Sequence, residues 1–169
     1  MLGNEVSAMA LIRARMPTKR FALPVLVLLG VLVAAPLAWG SDGSFRRALR
    51  PYVGRLTADI GYLSNFSTPS KRAAIGALDR LSKVHNDLAG ATQAATHQQA
   101  SSTSGRTGRT QVLAGLREAT TAASDARASA AAARSGNRSA AKRHQRQEQR
   151  DINKAIPQFE SGGKLLHMF

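Results

Sequence analysis

The chain has 169 residues, no cysteine, and 24 Lys and Arg against 10 Asp and Glu, a formal net charge of +14. The missing thiols exclude disulfides, thiol catalysis and thiolate metal sites, so stability rests on packing alone. The charge points to anionic partners such as cell-wall polymers, lipid headgroups or nucleic acid, with charge that merely keeps a domain soluble as the competing account.

Residues 16–41 read MPTKRFALPVLVLLGVLVAAPLAWGS. Lys19 and Arg20 precede an apolar run from Phe21 to Trp39, and Ala38-Trp39-Gly40 puts small residues at −3 and −1 of a cut before Ser41. This layout predicts a secretory signal peptide over residues 1–40. The charge-free run is also about as long as a membrane-spanning helix, so the rival is an uncleaved anchor that holds the domain to the cytoplasmic membrane through residues 21–40. Pro24, Gly30 and Pro36 interrupt a uniform helix and favour cleavage. Met16 opens a compact signal by itself, which predicts translation from Met16 or Met9 rather than Met1. Cleavage removes Arg13, Arg15, Lys19, Arg20 and Glu5, and leaves 20 bases against 9 acids, a net charge of +11. The basicity therefore belongs to the mature domain. Its expected location is extracytoplasmic, either secreted or in the periplasm or cell envelope.

Beyond Ser41 the apolar spacing is helical throughout. It predicts an all-α domain over residues 41–163, an antiparallel bundle of about four helices with coiled-coil-like seams. Phe45, Leu49, Tyr52, Leu56, Ile60, Leu63 and Phe66 trace the first stripe; Pro51 interrupts it, so residues 44–50 are expected as a turn before the helix. Ser67-Thr68-Pro69 predicts a break and a second helix with Pro at its first position. That helix sets Ile75, Leu78, Leu81, His85, Leu88, Thr92 and Ala95 along one side. Residues 96–109, THQQASSTSGRTGR, lose periodicity and read as a loop. The third helix, from Thr110 to Arg134, carries a seam of Val112, Leu116, Ala119, Ala123, Ala126, Ala130 and Ala133, small enough to admit a neighbour closely. Ser135-Gly136-Asn137 ends it.

The fourth helix, over residues 138–156, aligns Ala141, Glu148, Ile152, Ala155 and Phe159. Pro157 is its expected end and Ser161-Gly162-Gly163 a hinge. Residues 164–169 form a short apolar C-terminal tail. Large apolar side chains concentrate in the first two helices, so the last two are expected to be less stable or ordered by a partner.

The candidate site lies on the fourth helix. Arg138, Lys142, Arg146, Arg150 and Lys154 continue a row of bases begun at Arg134, each four residues on, with Arg143 beside Arg150. A step of four advances about 40° around a helix, so the row drifts through roughly 160°, opposite Ala141 and Phe159. Such a ridge suits polyanion docking through salt-sensitive phosphate contacts; a solvated helix face is the plainer reading. The absence of stacking aromatics there argues against sequence-specific nucleic-acid reading. His85, His97, His144 and His167 are not in metal-ligand spacing, and no HExxH pattern, Gly-rich phosphate loop or nucleophile elbow occurs. No catalytic, metal or cofactor site is predicted. Asp59 and Glu148 fall beside apolar stripes, where Arg-paired boundary residues are expected in preference to a working pair of buried acids.

The sequence thus predicts a non-enzymatic exported domain. Its partners are an anionic cell-wall polymer, anionic lipid headgroups or an envelope protein, met through helix faces that could also self-associate. The alternatives are a small extracytoplasmic enzyme with an unrecognised site, or a membrane-anchored envelope accessory protein.

Overall fold

The computed structural model describes residues 41–166; the signal segment or anchor, the start codons and His167-Met168-Phe169 lie outside the described residues. Among these residues every regular element is an α-helix: α1 (Ser41–Leu49), α2 (Val53–Ser64), α3 (Ala74–Thr96), α4 (Thr103–Arg134) and α5 (Arg138–Leu165). No helix among them is long and apolar enough to cross a membrane.

Pro51 sets the first break, because its ring has no N–H and disfavours helical geometry in the residue before it. The chain turns there, with the Tyr52 N–H donating to Leu49 O at 2.9 Å. What precedes the break is a helix of its own rather than the expected turn. Asp42 sits in the first turn of α1, where an acid suits the helix dipole. Phe45 and Leu49 are buried, and the same stripe continues through Leu56, Ile60, Leu63 and Phe66.

Two ion pairs fix α2 antiparallel to α3: Arg55 with Asp87 at 3.0 Å and Arg80 with Asp59 at 3.3 Å. The guanidiniums of Arg55 and Arg80 also lie over the rings of Tyr52 and Tyr62, at 5.3 and 5.5 Å. α3 begins at Ala74 rather than at Pro69. The connecting loop is held elsewhere, since Thr68 Oγ1 donates to Gln145 Oε1 at 2.7 Å and lies 3.2 Å from Ser129 Oγ. Ile75 is 57% exposed, against the expected stripe. The buried column is Ala74, Leu81, Leu88 and Ala95, one every seven residues, and Ile75 sits about 100° off it.

α4 starts at Thr103, which shortens the expected loop. Ser102 is its N-cap, accepting from the Gly105 N–H at 2.8 Å. Asp42 reinforces the cap from α1, accepting from Ser102 Oγ at 2.6 Å and from the Ser101 N–H at 2.9 Å. The Ser102 hydroxyl, above all, holds the Asp42 carboxyl below its usual range. A Cβ at Gly105 would collide with that carboxylate, so this glycine marks a close approach and not a loop. Ser102→Ala is expected to lower stability by about 1 kcal/mol in urea unfolding.

Gly136, at φ 83°, turns the chain out of α4. Asn137 then caps α5, its side chain accepting from the Ala140 N–H at 3.0 Å. The antiparallel α4–α5 pair makes the most extensive contact in the fold. The seam Val112, Leu116, Ala119, Ala123, Ala126, Ala130 and Ala133 is buried as expected. α5 runs through Pro157 to Leu165 instead of ending there. Pro157 is exposed, so the backbone bond it forfeits faces water, and the segment beyond is held by packing. Gly162 and Gly163 are buried inside α5 and make no hinge, while Leu166 at its cap is 1% exposed and lies over Gly108. The described part of the tail is therefore docked.

Candidate functional site

Helix periodicity places the basic row where the sequence expects it. Ala141, Glu148, Ile152 and Ala155 are buried on one side of α5, and Arg138, Lys142, Arg143, Arg146, Arg150 and Lys154 are all exposed on the other. The row is not uniform, however. Lys154 Nζ lies 3.4 Å from Asp151 Oδ1. Gln147 Nε2 donates to both oxygens of the same carboxylate at 3.1 and 3.0 Å, while Gln147 Oε1 accepts from Arg150 Nη2. Asp151 thereby engages the C-terminal end of the row. Arg138, Lys142, Arg143 and Arg146 meet no acid among the described residues.

Lys142, Gln145, Arg146 and Gln149 line a shallow open groove of about 330 Å³. Gln145 Oε1 is taken by the Thr68 hydroxyl, which turns the amide nitrogen into the free end of that side chain. The groove thus presents two cations and amide donors.

The acids sharpen this field. Asp59, Glu148 and Asp151 are buried, whereas none of the 20 bases from Arg46 to Lys164 is. The surface is more cationic than the net charge alone conveys.

Asp59 behaves as the sequence leads one to expect, paired with Arg80. Burial raises its pKa first and the Asp87 charge second, with Arg80 opposing both. Glu148 does not. It is fully buried, and neither carboxyl oxygen has a hydrogen-bond partner. Burial, then the charges of Asp125 and Asp151, push its pKa up to about 8, so it is neutral at pH 7. The reason lies across the interface. The register set by Ser129 Oγ donating to Ala141 O (2.9 Å), with Gly108 against Gly162, brings the level of Ala122 opposite Glu148. That alanine-rich seam leaves room for a long side chain and supplies no donor.

Asp59 and Glu148 belong to separate clusters, the first with Arg55, Arg80 and Asp87, the second with Asp125 and Asp151. His144 Nδ1 lies 3.0 Å from Asp125 Oδ1, and His85 Nδ1 lies 3.3 Å from Ser124 Oγ. Among the described residues no group of three or more His, Asp or Glu is placed to hold a metal ion. The sequence matches no family model, no curated protein and no solved structure.

Proposed function

We propose that this chain is an exported, non-enzymatic helical domain that docks on anionic material of the cell envelope through the cationic face of α5. The observation that carries the reading is the run of exposed bases free of any acid, Arg138, Lys142, Arg143 and Arg146, over about 12 Å of one helix. A solvated face that served solubility alone has no need to keep a run of four bases clear of every acid. The signal-like segment at residues 16–41 supplies the location.

The test is co-sedimentation of the full chain with purified cell wall, anionic vesicles and DNA across a salt series. Retention at low salt that disappears by about 0.3 M salt is expected, since the attraction is electrostatic. Replacing the four free bases with Gln should abolish retention while leaving helicity unchanged. No retention on any of the three at low salt would refute the reading.

A further inference from the structure

We infer that the occupant of this face is a flexible phosphodiester-type chain lying along the α5 axis, with one phosphate against each of Arg138, Lys142 and Arg146 and Arg143 closing the flank. The inference rests on the docking role proposed above and names its ligand.

Spacing is the first argument. Residues four apart on a helix rise by about 6 Å per step, so the free row is a ladder of like charges with a constant repeat. Phosphates joined through three-carbon linkers extend to a comparable repeat. A lone small anion would use one rung and leave the others idle.

Curvature is the second. Arg138, Lys142 and Arg146 sweep roughly 80° around α5, and Arg143 stands about 60° further on. A plane laid against the helix reaches only part of such an arc, whereas a flexible chain can follow it.

Composition decides against a lipid surface. A helix that lies on a membrane sinks an apolar face into the headgroup boundary. The apolar face of α5 is buried in the bundle, and the residues between the bases are Ser139, Gln145, Gln149 and Asn153. Among the described residues the exposed large hydrophobic side chain is Ile75, on α3. The groove adds amide donors beside Lys142 and Arg146, which suit phosphate oxygens. Stacking aromatics are missing from this stretch, so the polymer is held by its backbone alone.

Abasic deoxyribose-phosphate oligomers isolate that chemistry. The full chain is titrated with the dimer, tetramer and octamer, and in parallel with phosphatidylglycerol vesicles diluted in phosphatidylcholine. Affinity is expected to climb steeply from dimer to tetramer and then only by the statistical gain of extra registers. Replacing Arg138, Lys142 and Arg146 together with Gln should weaken tetramer binding by at least about tenfold and reduce the slope of log K against log salt by about 2. Arg150→Gln with Lys154→Gln should change it by less than about twofold, since Gln147 and Asp151 already engage those two bases. Vesicles bound in preference to oligomers would overturn the inference and keep the docking role. So would equal losses from the two sets of substitutions, or binding indifferent to oligomer length. Binding to neither probe at low salt would overturn the inference, and the docking role falls with it if purified cell wall and DNA also fail to retain the chain.

Discussion

Raising the pH from about 4.5 to about 8 is expected to destabilise the domain by on the order of 5 kcal/mol, and Glu148→Gln is expected to remove most of that slope. In the unfolded chain this carboxyl ionises near its ordinary 4.5, whereas in the fold it keeps its proton up to about 8. Across that window the folded state binds more protons than the unfolded state, so stability falls as pH rises. It is level below the window, where both states are protonated, and level again above it, where both are ionised. The shift is upward because the site offers the charge nothing: the two oxygens have no hydrogen-bond partner, and Asp125 and Asp151 add negative charge nearby. Asp151 is buried beside it, but Gln147 and Lys154 reach that carboxylate. The burial of Asp59 acts in the same direction, and the lowered pKa of Asp42 acts in the opposite direction at the acid end.

Against a total stability of roughly 5–15 kcal/mol for an ordinary domain, such a slope moves the melting temperature by on the order of 10–20 °C. Thermal unfolding of the wild type and Glu148→Gln at matched pH values checks this. Glu148→Leu should go further and exceed the wild type by about 1–3 kcal/mol at neutral pH, because it also removes two unsatisfied polar atoms. A Gln variant that keeps the full slope would move its origin to another buried acid, with Asp59 the next candidate.

Periodicity is what the sequence reveals best. The stripe from Phe45 to Phe66 and the alanine seam of α4 were both legible because burial repeats at the helical period, whatever the helix packs against. Elements whose meaning depends on a partner were not. Gly105 and Gly108, set among Ser and Thr, read as loop residues; only Asp42 and Gly162 across the interface show that they are contact points. Pro157 read as a helix end because its tolerance depends on facing solvent. Glu148 was legible as a stripe residue, but that nothing opposite could satisfy it required the α4–α5 register. The basic row carries its own signal of unevenness: Asp151 stands four residues after Gln147 and three before Lys154, spacings that bring side chains together on a helix.

The second large effect is expected at Gly162, where Gly162→Ala should destabilise the domain by about 1–3 kcal/mol in spite of alanine's better helix propensity. A Cβ there would meet Val112 Cγ2 at 2.7 Å, Gly108 O at 2.8 Å and Val112 N at 2.9 Å. Two of those atoms are backbone and cannot rotate away, so α4 and α5 must part. Leu166 is seated on the same spot, 2.8 Å from a Cβ built on Gly108, and would be dislodged with them. Gly61→Ala and Gly76→Ala are the matched controls, since a Cβ at either meets nothing within 4 Å. Both should stabilise by about 0.5–1 kcal/mol through the cost glycine imposes on a helix. Gly108→Ala should resemble Gly162→Ala, and the double variant should cost less than the two together, because helices already parted by one methyl accommodate the other. The sign of the Gly162 effect in urea unfolding separates two structures for the end of the chain. A hinge over Ser161-Gly162-Gly163 would make the alanine neutral or stabilising; a helix pressed against Gly108 makes it destabilising.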